Sequence, residues 1–199
     1  MKLYLLRHGE TDYNRRQALQ GQMDAPLNEN GRRQALGAAA QLEGIHFDAV
    51  YSSPLQRAKH TALLATGLPE RALTIDRRII ELGFGIWEGK ECRTLGPQFA
   101  PFFQAPQDYV PPKGGESFEQ LVARVSGFLQ DMAERWPDGT VLAVSHGAAI
   151  HAMLLAAQHK PLSEFWAASV GNCGIAVLEH DGAGWTLSQA CATPDVFYG

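Results

Sequence analysis

The chain has 199 residues, of which 45% are hydrophobic and 19% charged, and a formal net charge of -4. That balance suits one globular domain with a sizeable core and excludes a disordered chain, which would be poorer in apolar residues. The acidic balance and the lack of a Lys/Arg run argue against nucleic acid as a partner, and no apolar stretch approaches the ~20 residues of a membrane span.

The N-terminal apolar run, residues 3–6, is too short for a signal sequence. Three widely spaced cysteines, Cys92, Cys173 and Cys191, form no C-x-x-C and fit reduced thiols in a cytoplasmic protein.

In chain order, residues 2–6 read as a buried strand that ends at Arg7-His8-Gly9, residues 31–42 as an Ala-rich helix, and residues 47–51 as a second strand. Ser53-Pro54-Leu55-Gln56 has the spacing of a capping box, with Pro54 at the first helical position. It predicts a helix running to Thr66, with Gly67 past its end. Residues 90–115 are rich in proline and aromatics and read as an irregular, lid-like insertion. A second capping box, Ser117 to Gln120, opens a long helix whose stripe is Phe118, Leu121, Val122, Val125, Phe128, Leu129 and Met132, stopped by Pro137 and Gly139.

Residues 141–144 form another buried strand before Ser145-His146-Gly147 and a helix to Leu155. Residues 174–178 and 185–188 read as a closing hairpin around Asp181-Gly182. Strands alternating with helices imply a single α/β domain over 1–199, a three-layer α/β/α sandwich with a mainly parallel sheet.

Two corners share one design. His8-Gly9 and His146-Gly147 each follow an apolar strand, and in a parallel sheet both fall at the carboxyl edge, where ligands bind. The glycines would let backbone approach a ligand closely. Arg57, in the first turn of the helix after the second strand, belongs to the same edge, where free helix-start N–H groups favour anions. Two arginines and two imidazoles make a poor metal site and a good phosphate site. By spacing alone this is an anion site with two histidines.

Other chemistries fit less of the chain. Residues 143–147 partly match a serine-hydrolase nucleophile elbow around Ser145, for which Glu164 and His180 would complete a triad, but that leaves Arg7, His8 and Arg57 unexplained. No H-E-x-x-H occurs, and His146 and His151 are off one helical face, so a metallohydrolase is weaker still.

Arg7-His8-Gly9-Glu10-Thr11 with Asn14 resembles the N-terminal signature of the histidine phosphatase superfamily, in its phosphoglycerate-mutase-like branch. The resemblance continues through Ser52-Ser53-Pro54-Leu55-Gln56-Arg57-Ala58, the residues from Glu81 to Gly89, Gly114-Gly115-Glu116-Ser117, and Val144-Ser145-His146-Gly147. Ordered motifs across nearly the whole chain are far more specific than one R-H-G triplet.

The resemblance implies a phosphoglycerate-mutase-like fold and a reaction without metal or cofactor. His8 would become phosphohistidine. Arg7, Arg57 and His146 would hold phosphoryl oxygens, with His146 better protonated. Glu81 would give the leaving group its proton and later serve as general base. Asn14, Gln20, Gly21 and Gly147 would line the phosphate pocket, and Glu88 would support it.

Phosphoglycerate mutases of this family carry a longer insertion with an arginine pair and a lysine that grip a carboxylate. Here residues 90–115 offer only Lys90, Arg93 and Lys113, so hydrolysis is favoured. The aromatics there either face the substrate or pack the lid down. The Glu81–Gly89 motif resembles broad-specificity and alpha-ribazole phosphatases. The expected partner is a small phosphomonoester. A mutase or a catalytically weak phospho-ligand binder are the alternatives, and the sequence does not set an oligomeric state.

Overall fold

Alternation along the strands decides the architecture. Leu3 and Leu5 in β1 (Lys2–Arg7) point into one apolar cluster, and Leu6 into another. The same split recurs in β4 (Thr140–Ser145), where Val141 and Ala143 face the first cluster and Leu142 and Val144 the second. A sheet apolar on both faces must be covered on both, and the computed structural model, which describes residues 1–190, has that arrangement.

The elements between these strands are α1 (Asp12–Arg15), α2 (Glu29–Leu42), β2 (Ala49–Ser52), α3 (Gln56–Thr66), β3 (Leu73–Ile75), α4 (Ala100–Gln104) and α5 (Phe118–Arg135). After β4 come α6 (Gly147–Ala157), β5 (Ile175–His180) and β6 (Trp185–Gln189). The six strands lie in the order β3-β2-β4-β1-β5-β6. The pairs β2–β3, β2–β4 and β1–β4 are parallel, while β5 and β6 run antiparallel at one edge. The sheet is thus mainly parallel, as expected; only β5 runs against the others, and β6 turns back beside it to close a hairpin. Helices α2 and α3 cover one face; α5, α6 and residues 90–115 cover the other.

The second capping box forms as its spacing predicts. The Gln120 amide donates to Ser117 Oγ at 3.3 Å, and the Ser117 amide to Gln120 Oε1 at 2.9 Å. Helix α5 then buries Phe118, Leu121, Val125, Phe128, Leu129 and Met132, each contributing about 1.5–3 kcal/mol.

The first capping box does not form. Helix α3 begins at Gln56 with Leu55 as a cap that makes no side-chain bond, because Ser53 is turned to another partner described below. Gly67 closes the helix in the left-handed conformation (φ 69°), a geometry glycine adopts without steric cost.

Residues 90–115 are more ordered than their composition suggests. They fold as short 3-10 turns and α4, pinned by aromatic packing: Phe102 stacks on Phe99 and Phe118 at 4.9 and 5.2 Å between centroids, and Tyr109 meets Phe118 at 5.1 Å. This segment packs on the α5–α6 face of the sheet. The strand β3 has no counterpart in the sequence pattern, being three residues long with one buried side chain. Cys92 and Cys173 are free thiols, and Cys191 lies outside the described residues. Among the described residues no helix is long and apolar enough to cross a membrane.

Candidate active site

Parallel pairing of β1 with β4 sets Arg7 opposite Ser145, so the next residues, His8 and His146, leave the sheet side by side. Their ring centroids are 5.1 Å apart, and both side chains are buried. His8 Nδ1 is 2.7 Å from the Gly9 carbonyl oxygen. A carbonyl only accepts, so Nδ1 carries the ring proton and Nε2 keeps its lone pair. Burial first, then Arg57 and Arg7, hold the His8 pKa well below its ordinary value. The nitrogen is therefore unprotonated at neutral pH, as a nucleophile must be.

Backbone ties hold this corner. The Asn172 side chain donates to the His8 carbonyl at 2.9 Å, and the Gly9 amide donates to Thr61 Oγ1 at 3.0 Å. Thr61 in turn donates to the Arg57 carbonyl at 2.6 Å, joining the His8 corner to the helix that carries Arg57. Gly9 itself serves packing: a Cβ there would lie 2.3 Å from the Gly31 carbonyl oxygen of α2. The expected role, close approach to a ligand, gives way to close approach of a helix.

Arg57 is fully buried. Its Nη1 and Nη2 donate to the Met23 and Gly21 carbonyls at 2.7 Å each, while Nε has no hydrogen-bond partner among the described residues. Burial lowers its pKa to about 10 against the pull of Glu81, Asp24 and Glu88, so it stays cationic at neutral pH. Arg7 Nη1 donates to the Val170 carbonyl. The first helical amide of α3, that of Gln56, is occupied by Asp24 Oδ1 at 2.7 Å. The anion-attracting character of this edge thus comes from the guanidinium groups more than from the α3 start.

His146 Nε2 is 2.7 Å from Ser53 Oγ, and its Nδ1 is buried without a partner among the described residues. A hydroxyl both donates and accepts, so the 2.7 Å contact fits either tautomer; the one in which Ser53 donates to Nε2 leaves Nδ1–H to donate to a ligand. Burial, then Arg57 and His8, push the His146 pKa well down. Burial and these neighbours disfavour the imidazolium, whereas a bound phosphate would favour it.

Glu81 sits across the N-terminus of α6. Its Oε1 accepts from the Leu82 and Ala149 amides at 2.9 and 3.1 Å, and its Oε2 from Ala148 at 3.4 Å. A carboxylate at a helix N-terminus is favourably placed. The Glu81 carbonyl is held by Arg124 Nη2 and by Gln22 Nε2, each at 3.1 Å, and Arg124 is clamped by Glu116 at 2.6 Å. Glu88 accepts from the Gln22 and Phe84 amides at 2.9 and 3.1 Å and works as a backbone tie.

One cavity, about 500 Å³ counting its open mouth, collects Arg7, His8, Asn14, Gln20, Gly21, Arg57, Glu81 and Gly147. His146 backs it, in ring contact with His8. Asn14 and Gln20 are joined through Thr11: Asn14 Oδ1 accepts from the Thr11 amide at 3.0 Å, and Thr11 Oγ1 is 2.8 Å from Gln20 Oε1. Phe84, Phe102, Phe103 and Trp166 complete the wall, so the aromatics of the insertion both pack and face the cavity. Lys90, Arg93 and Lys113 are exposed and outside it.

Thr11, Ser53, Thr61, Arg124, Asn172 and Trp166 were not singled out by spacing as site residues. Thr11 and Ser53 stand in motifs shared with the family, but the position of Ser53 before a helix suggested a cap. The serine-hydrolase arrangement is absent: Ser145 Oγ donates to the Ile79 carbonyl at 2.8 Å, and the amide of His180 bonds Met1 at the opposite end of the sheet.

The chain matches the histidine phosphatase superfamily (branch 1) over residues 3–193. It belongs to that family. It is 35% identical over 182 residues to phosphoserine phosphatase 1 of Hydrogenobacter thermophilus, covering 89% of this chain and 86% of that one. Its fold superposes on a mutant phosphoserine phosphatase from Entamoeba histolytica in complex with phosphoserine, with a TM-score of 0.87, 30% identity and 96% of both chains covered. The alpha-ribazole phosphatase of Shigella flexneri gives a TM-score of 0.83 at 28% identity over 98% of both chains. Family and relatives make this chain a phosphatase of the histidine type.

Proposed function

We propose that the chain hydrolyses phosphomonoesters in two steps through a phosphohistidine on His8. The observation that carries this reading is the bond from His8 Nδ1 to the Gly9 carbonyl at 2.7 Å, which leaves Nε2 as the free nucleophile in a residue lining the cavity. Nε2 attacks phosphorus as the bond to the leaving oxygen breaks, and Glu81 gives that oxygen a proton. Water then attacks the phosphohistidine, Glu81 takes a proton from it, and the N–P bond breaks to release phosphate.

Arg7, the unpartnered Nε of Arg57 and Nδ1–H of His146 donate to the phosphoryl oxygens, where charge is spread in the transition state. Asn14, Gln20, Gly21 and Gly147 shape the phosphate subsite. No step calls for a metal, since the site's cations are side chains.

Trapping tests the nucleophile. Enzyme quenched during turnover of a labelled phosphomonoester is expected to hold an acid-labile, base-stable label that is lost in His8→Ala; a label surviving that substitution refutes the assignment. Isomerisation of 3-phosphoglycerate outrunning phosphate release would make the chain a mutase, and phosphate binding without turnover of any ester would make it a binder.

A further inference from the structure

Glu81 lies between β3 and α4, in neither a strand nor a helix, so no ladder of backbone bonds fixes it. One ion pair takes that part. Arg124 of α5 and Glu116, just before α5, are joined twice, Nε to Oε1 at 2.6 Å and Nη2 to Oε2 at 2.9 Å. Their side chains are only 19% and 17% exposed. The guanidinium also holds the segment that carries Glu81. Its Nη1 donates to the Arg78 carbonyl at 2.6 Å, and its Nη2 to the Glu81 carbonyl at 3.1 Å. Glu116 holds the other side: its Oε2 accepts from the Gly83 amide at 3.3 Å, and its own amide donates to the Gly83 carbonyl at 2.8 Å. The pair thus grips the main chain before, at and after Glu81.

Neither Arg124 nor Glu116 lines the catalytic cavity, so any effect on the reaction passes through Glu81. As an anion, the Glu81 carboxylate is held by the amides of Leu82, Ala148 and Ala149. A carboxyl group about to protonate the leaving oxygen is neutral, and a neutral acceptor holds those amides more weakly. The grip on its main chain does not depend on that proton. Gln22 also reaches the Glu81 carbonyl, but this side chain is exposed and water competes for the bond. The planar fork of arginine suits the task, because it can meet a carboxylate and two carbonyls at once, which a lysine ammonium cannot do in one geometry.

On the hydrolase reading above, on which this step rests, we infer that Arg124, braced by Glu116, is a positioning residue that keeps protonated Glu81 within reach of the leaving oxygen. Loosening the pair therefore slows ester cleavage in proportion to the leaving oxygen's need for a proton. A pair that only stitched α5 to the rest of the fold would show no such dependence.

Two esters separate these cases. Ethyl phosphate loses a strongly basic alkoxide and needs the proton; dinitrophenyl phosphate loses a weakly basic phenolate and does not. With the full chain, kcat/KM for each reports the steps up to departure of the leaving group. The ethyl-to-dinitrophenyl ratio is independent of how much of a sample is folded, so lost stability alone does not move it. Arg124→Met is expected to lower that ratio about 10- to 100-fold, and Glu116→Gln to lower it less, in the same direction. Glu81→Ala is expected to lower it about 100-fold or more, and adding Arg124→Met to Glu81→Ala should lower it no further. An Arg124→Met ratio within about twofold of wild type, beside a Glu81→Ala ratio that falls, overturns the inference and leaves the hydrolase reading standing. A further drop in the double variant does the same. An unmoved ratio in Glu81→Ala overturns Glu81 as the proton donor, and the inference with it.

Discussion

Replacing Ser53 by alanine removes one hydroxyl and, with it, the only hydrogen-bond partner shown for the His146 ring. His146 and Ser53 are both fully buried, and their contact is 2.7 Å. Leaving a buried polar nitrogen unpaired costs about 1–3 kcal/mol. Without the hydroxyl nothing among the described residues holds the ring proton on Nδ1, so a tautomer with the proton on Nε2 competes and takes the donor away from the phosphoryl group. If the loss falls on the transition state, kcat drops by about 5- to 150-fold, with little change in KM for a substrate whose affinity comes from other groups. Ser53→Cys keeps a weak donor in nearly the same volume and should lie between wild type and alanine. Steady-state kinetics would be paired with nitrogen NMR of the His146 imidazole, which reports whether Nδ1 or Nε2 is protonated. A Ser53→Ala enzyme within twofold of wild type in kcat, or one whose His146 tautomer is unchanged, refutes the argument.

Thr61→Val removes the hydroxyl that accepts from Gly9 and donates to Arg57, stranding a buried amide. Destabilisation of about 1–3 kcal/mol by urea unfolding is expected, and an unmoved midpoint would show that the tie carries no energy. Arg57→Met removes the larger of the two charges that depress His8; its imidazole should then titrate at higher pH in NMR, and an unchanged titration would assign the depression to burial alone. Both His8 and His146 are depressed in the folded state, while the unfolded chain titrates near about 6.5. Below about pH 6.5 the unfolded state binds more protons, so stability is lost as pH falls from there toward the folded values, at up to about 1.4 kcal/mol per pH unit for each histidine. Urea midpoints compared at about pH 7.5 and about pH 5.5 should show that loss, and His8→Asn should reduce it; an identical slope in the variant would contradict the shift.

The recurrence of His-Gly after an apolar strand was enough to bring His8 and His146 together, because parallel pairing of equivalent strands leaves their exits adjacent. Arg57 followed for the same reason, from its place one turn into the next helix. The capping-box spacing told less. The Ser117 box formed, but the Ser53 box did not, although each has a residue able to pair at the third helical position. What separates them is a partner remote in sequence: His146 is 93 residues from Ser53 and competes for the hydroxyl.

Local pattern alone determined every strand but β3, the long helices and the two histidine corners, since side-chain period and chain direction are properties of neighbouring residues. Ordered motifs along the chain added the chemistry. Tertiary structure decided which donors stay free. It tied Arg57 Nη1 and Nη2 to Met23 and Gly21 and left Nε. It placed Glu81 over the amides of Ala148 and Ala149, and turned an irregular, proline-rich stretch into an aromatic wall. It also buried His146 beside Arg57, which disfavours the charged form of its ring. Each of these depends on burial and on partners far away in the chain, and neither quantity is written in local spacing.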